Sequence, residues 1–130
     1  MVHDAQLPRP TEAELALLRA LWERGPSTVR QMWERLDPAG RPGYTTVLKL
    51  LQIMHGKGLV ERDDTERAHV YRARLTQDQT QSQLVGDLVD RAFKGSSARL
   101  VMQALSSRPA SRTELEEIRK LLDTMEGDRR

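Results

Sequence analysis

The stretch Gly43–Val60, GYTTVLKLLQIMHGKGLV, constrains this chain more than any other. Val47, Leu50, Leu51 and Met54 recur at i, i+3, i+4 and i+7, which places them on one face of a helix. At about 100° per residue, Thr45, Lys49 and Gln52 fall on the opposite face. A hydroxyl, a long cation and an amide are the side-chain types that bond phosphates and base edges. Gly56 and Gly58 are expected to stop the helix. Taken alone, the pattern fits an ordinary amphipathic helix with a solvated face as well as a recognition helix for a DNA major groove. The flanking chain favours the second.

Two helices are expected before it. Thr11 and Glu14 form a capping box, so a helix starts at residue 12. Leu15, Leu18 and Trp22 carry its stripe, widened by Leu17 and Leu21. Gly25-Pro26 ends it, and Ser27 or Thr28 caps the next. There Val29, Met32, Trp33 and Leu36 repeat the helical spacing. The run Asp37–Gly43, with two prolines and two glycines, must be a loop. Two helices joined by a loop have the order of a helix-turn-helix, and the length of this loop favours a winged variant. Residues 1–9 read as a flexible arm.

After residue 58 the period changes. Leu59–Arg62 and His69–Ala73 are strand candidates separated by the polar turn DDTER, and together they read as a β-hairpin, the wing. Arg62, Arg67, His69 and Arg72 lie on or near it. Asp63 and Asp64, at its tip, are expected in solvent.

Charge follows the same division. The net charge is +2. Residues 1–40 hold five basic and six acidic groups, giving −1; residues 41–74 hold seven and four, giving +3; residues 75–130 hold nine of each. The positive excess therefore lies on the opening helix and its wing, as a polyanion partner would require.

A second unit begins at Thr76, which gives domains of 1–75 and 76–130. Residues 78–93 read as a helix with Leu84, Val85, Leu88, Val89, Ala92 and Phe93 on one side. Gly95-Ser96 breaks it. Residues 97–105 form another, with Leu100, Val101, Ala104 and Leu105. Ser106–Ala110 is a loop. Ser111 and Glu114 make a second capping box, and Leu115, Ile118, Leu122 and Met125 stripe the last helix. Three short helices with narrow stripes make a poor core alone. A homodimer would bury both copies' stripes and set two recognition helices on a two-fold axis, as a palindromic operator requires. The competing arrangement folds the unit back onto its own DNA-binding domain.

The fold class is therefore mainly α with a small β-hairpin: a winged helix-turn-helix DNA-binding domain followed by a C-terminal helical dimerisation domain. The absence of cysteine excludes disulfides, thiolate metal sites and a cysteine nucleophile. The first ten residues contain no apolar run resembling a signal peptide, and no segment approaches a membrane span. A soluble cytoplasmic protein is expected, with no cofactor and no metal. His3, His55 and His69 share no ligand spacing. Gly56-x-Gly58 follows a helix rather than opening one, so it cannot cradle a phosphate in the usual way. An enzyme is not expected.

The stretches TEAELALLRALWERGPSTVRQMWERL, YTTVLKLLQIMHGKGLVER and RAHVYRARLTQDQ resemble the BlaI/MecI family of bacterial penicillinase repressors. The likeness covers roughly residues 10–125 and is most specific at Tyr44–Val47 and Lys57–Val60. It implies a homodimeric repressor on a palindromic operator, with Tyr44, Thr45, Thr46 and Lys49 reading bases. By the same resemblance Arg67 and Arg72 hold DNA backbone from the wing, and Arg30 and Arg41 are further phosphate candidates. Relatives are inactivated by a membrane-bound sensor protease that cuts an Asn-Phe pair in the dimerisation region. The approximate match here is Gln103-Ala104, a departure from that pair. A copper-responsive branch uses a cysteine-rich site that this chain lacks. The alternative is a winged helix that docks on another protein; such domains usually present a more apolar or acidic third helix.

Overall fold

The computed structural model describes residues 8–128. The elements run α1 (Glu12–Arg24), β1 (Ser27–Thr28), α2 (Val29–Arg35), α3 (Tyr44–Lys57), β2 (Val60–Asp63), β3 (Val70–Ala73), α4 (Gln77–Ala92), α5 (Ser97–Ser107) and α6 (Arg112–Gly127). They form two compact units, one ending at Gly86 and the other beginning at Asp87, so α4 contributes to both. The arm expected at residues 1–9 lies mostly outside the described residues, as do Arg129 and Arg130 of the tail.

In the first unit the helices begin where local chemistry starts them. Thr11 and Glu14 cap α1 reciprocally, and Thr28 with Gln31 does the same for α2. Of the two candidate caps Thr28 is the one used. Ser27 is instead fully buried in β1, donating to the Gly25 carbonyl at 2.8 Å and accepting from Arg35 Nη1 at 2.5 Å.

That short strand is an addition to the expected hairpin. The sheet has three antiparallel strands in the order β1-β3-β2, with Ser27 opposite Tyr71 and Glu61 opposite Arg72. Two polar residues between a proline and a helix carry no strand signal. Only the distant β3 makes them one.

The core joins Leu17, Leu18 and Leu21 of α1, Val29 and Met32 of α2, and Val47, Leu51 and Met54 of α3 to Leu59, Val60 and Tyr71 of the sheet. Leu50, expected to anchor α3, is only half-buried and packs at the margin. Trp22 closes one end by donating its indole N–H to the Leu75 carbonyl at 3.0 Å.

The end of α3 differs from expectation. The helix continues through Gly56, and Gly58 alone stops it, at φ 83°. The Leu59 N–H reaches back to the Met54 carbonyl at 2.9 Å, a Schellman arrangement that turns the chain directly into β2.

One ion pair ties α1 to α3. Lys57 Nζ lies 2.7 Å from Glu14 Oε1, whose side chain is 3% exposed, and also donates to the Arg9 carbonyl at 3.0 Å. Burial raises the Glu14 carboxyl, but the bonds from Lys57 and Thr11 outweigh it and hold the group below its ordinary value of 4.5. A carboxyl with a depressed folded pKa contributes stability that is present above the unfolded value and lost as pH falls through the folded one. Glu14→Gln should therefore weaken the acid dependence of unfolding. Urea midpoints of wild type and variant, measured from neutral pH downward, should converge on acidification; parallel curves would contradict this.

The second unit packs differently. Among the described residues, none in α5 or α6 is buried. Leu88, Val101, Leu121, Leu122 and Met125 are all exposed, and Met102 reaches 67%. Leu84, Phe93, Leu100, Leu115 and Ile118 are half-buried. Val89, also expected on the dimer seam, is 8% exposed within the single chain. The break after α4 uses Lys94 and Gly95, both at positive φ, and the Gly95 N–H bonds the Val89 carbonyl at 2.9 Å.

Candidate nucleic-acid interface

The N-terminal half of α3 stands clear of the core. Val47 and Leu51 point inward, which leaves Tyr44, Thr45, Thr46, Lys49 and Gln52 exposed. Ile53, at 45% exposure, continues that outward face and was not among the expected reading residues. Gly43 precedes α3 without a side-chain cap, and its carbonyl accepts from the Thr46 and Val47 N–H groups.

Helix and wing share a groove lined by Arg30, Tyr44, Leu48, Gln52, Arg67 and His69. Four of the nine expected DNA-contacting residues thus meet at one place, although they come from α2, α3 and the wing tip. Thr45, Thr46 and Lys49 lie outside that groove on the exposed surface of α3.

The remaining two arginines are already engaged. Arg41 is half-buried and stacks on Trp33, with its Cζ 3.6 Å from the ring centroid. Arg72 lies across the sheet from Glu61, Nη2 to Oε1 3.0 Å.

The wing is more self-neutralised than its composition implies. Arg62 Nε pairs with Asp64 at 2.8 Å, and His69 Nδ1 is 3.6 Å from the same carboxylate. The Arg62 guanidinium donates to the Tyr71 oxygen and to Asp64, and these bonds raise its pKa from the ordinary value. Asp63 accepts from the Thr65 side chain and N–H, which lower its carboxyl from the ordinary value. Asp63 and Asp64 are exposed, as expected, but they order the wing turn as well.

Exposed pairs of this kind contribute only about 0–1 kcal/mol, so a phosphate competes for Arg72 readily. Glu61→Gln removes that competition and one negative charge. Duplex affinity should rise a few-fold and its salt dependence steepen, as read by fluorescence anisotropy. An affinity at or below wild type would place this part of the sheet away from the duplex.

Three helices with a small antiparallel sheet, and an exposed third helix flanked by cationic groups, define a winged-helix domain. The penicillinase repressor family matches residues 10–124, and this chain belongs to that family. Two curated relatives, each described as transcriptional regulator BlaI, come from Mycobacterium tuberculosis strains CDC 1551 / Oshkosh and ATCC 25618 / H37Rv. Each is 31% identical to this chain over 124 residues, which is 95% of this chain and 89% of the relative.

Among solved structures, the organohalide-sensing regulator RdhR-CbdbA1625 in its ligand-free form is similar at a TM-score of 0.49 and 19% identity. The match covers 92% of this chain but only 64% of that one. The regulator Tm0710 from Thermotoga maritima is similar at 0.46 and 18%, over 91% of this chain and 77% of its own. Membership of the penicillinase repressor family, and not these structural likenesses, makes the chain a transcriptional repressor of the winged-helix type, in a family of regulators rather than enzymes. No described helix is long and apolar enough to cross a membrane.

Proposed function

We propose that this repressor binds a palindromic operator as a homodimer, with the N-terminal half of α3 in the major groove. The observation that carries the reading is the exposed row Tyr44, Thr45, Thr46 and Lys49, flanked by Arg30 and Arg67. Lys49 donates to guanine O6 and N7, and the threonine methyls pack on thymine methyls. Gln52 offers an amide to an adjacent base edge. Arg30, Arg41, Arg67 and Arg72 hold backbone.

Dimerisation is supported by what the second unit leaves uncovered. Stripes containing Leu88, Val101 and Leu122 are about half exposed in the single chain. At about 25 cal/mol per Å², exposed leucine and valine on several helices cost enough that a second copy is the economical cover. Leu84, Phe93, Leu100, Leu115 and Ile118, each half-buried, complete the seam. Val89 belongs to the protomer's own packing.

Induction is proposed to be proteolytic, through a membrane-bound sensor protease responding to a cell-envelope or antibiotic signal, with the repressor itself in the cytoplasm. The candidate bond, Gln103-Ala104, lies inside α5, where both residues are exposed and Gln103 Nε2 donates to Ser107 Oγ at 2.8 Å. A protease needs extended backbone, so α5 must unwind locally. Within the single chain no buried residue holds α5, so its opening is opposed mainly by the proposed seam contacts of Leu100 and Val101. An intact chain persisting in induced cells would exclude this route.

The test of DNA binding is the salt dependence of duplex affinity. Each neutralised phosphate contributes about −0.9 to the slope of log K against log salt. Salt-insensitive capture of a protein, with no duplex shift, would replace the DNA reading with a protein-docking one.

A further inference from the structure

The entry to α3 is held by one indole. Trp33 Nε1 donates to the Pro42 carbonyl at 3.0 Å, and Arg41 Nη1 donates to the Trp33 carbonyl at 3.4 Å. The Arg41 guanidinium lies over the Trp33 ring at 3.6 Å. The Tyr44 ring meets Trp33 edge-on, with centroids 6.1 Å apart and planes at 74°. Arg30 in turn stands 5.6 Å from the Tyr44 ring. Trp33 shares its helix with Val29 and Met32, which are buried in the core, yet it is itself only half-buried. Its ring serves the loop before α3 as much as the core.

We propose that Trp33 is a positioning residue for DNA binding: it holds Arg41 and Tyr44 in place to meet a backbone phosphate beside the start of α3. This rests on the reading of α3 as the DNA-contacting helix. The loop at residues 36–43 contains two prolines and two glycines and no regular structure. An arginine on such a loop is a mobile side chain, and fixing it on a phosphate costs rotamer entropy. Stacking on the indole removes most of that freedom beforehand. The guanidinium has five N–H donors and spends one on the Trp33 carbonyl, so its fork remains available to an anion. Cation–π contact orients it without neutralising it, in contrast to the Glu61 partner of Arg72.

The contact is to backbone, so a mixed-sequence duplex is a sufficient probe. Affinity for it is measured across salt concentrations for the full chain and for Trp33→Leu, Trp33→Phe, Arg41→Ala and the Trp33→Leu/Arg41→Ala double variant. Trp33→Leu and Arg41→Ala should each lower affinity and reduce the salt slope by about 0.9, the value of one phosphate. The double variant should lose no more than Trp33→Leu alone. Trp33→Phe, which keeps an aromatic face, should recover most of the slope.

A merely structural Trp33 gives an unchanged slope and losses that add to those of Arg41→Ala, which overturns the proposal. Arg41→Ala leaves the indole in place; an unchanged slope in that variant overturns it equally, even where Trp33→Leu does not fold. A wild-type chain that shifts no duplex defeats the DNA reading and this proposal together. Wild-type binding with unaltered slopes in the variants defeats this proposal alone.

Discussion

Leu88→Asp should separate the proposed dimer into single chains and remove operator binding with it. In one chain Leu88 is 49% exposed, so a carboxylate there is solvated and the protomer still folds. In a two-fold interface the same substitution occurs twice, and the change acts on both sides of the seam. Fully burying a leucine contributes about 1.5–3 kcal/mol, and with only the exposed half of Leu88 left to cover, the loss is roughly 1.5–3 kcal/mol per dimer before any repulsion between the new charges. At about 1.4 kcal/mol per tenfold, the dimer constant weakens by about 10–10², and further with that repulsion. Sedimentation of the variant should give the single-chain mass at concentrations where wild type is paired. A variant that stays dimeric would remove Leu88 from the seam, and Leu122→Asp would then test whether α6 forms it instead.

Lys49→Ala should cost about 1–3 kcal/mol of operator affinity and relax the preference at one base position. Lys49 is exposed on α3, four residues after Thr45, with no ion pair to hold it elsewhere among the described residues. Its ammonium carries several N–H donors that can reach both guanine O6 and N7, so the loss should appear mostly as lost base discrimination. A variant that loses affinity equally on all duplexes would make Lys49 a phosphate contact. An unchanged footprint and affinity would leave it in solvent.

The parts of this fold that sequence foretold are those governed by neighbours in the chain. The capping boxes at Thr11/Glu14 and Ser111/Glu114 form as expected because each needs only three residues' separation. The α3 stripe was legible at Val47, Leu51 and Met54 because helical spacing alone decides it.

What remained hidden depends on distant partners. Ser27–Thr28 becomes a strand only because β3 lies beside it. Glu14 and Lys57 stand 43 positions apart, and each alone reads as an ordinary surface charge. Trp33 looked like one more apolar residue in a stripe, and nothing local reveals that Arg41 and Tyr44 converge on it across the loop.

The charge count misled in a related way. The excess of three positive groups over residues 41–74 is real, but Glu61 and Asp64 engage two of the wing arginines in the folded chain. Sequence reports the sum of charges and not their pairing. The Gly56 error has a backbone origin: glycine disfavours a helix by only about 1 kcal/mol, which the tertiary contacts of α3 override.

Two copies of this chain are proposed to read a two-fold DNA site through α3. Footprinting on the DNA immediately upstream of its own gene, with chain-to-duplex stoichiometry determined on the same fragment, tests it most directly. The expected result is two chains per duplex and two protected half-sites whose centres lie about 34–36 Å apart, or a multiple of that spacing. One chain per duplex on a single unsymmetrical site, or binding that protects no site over any other, would contradict it.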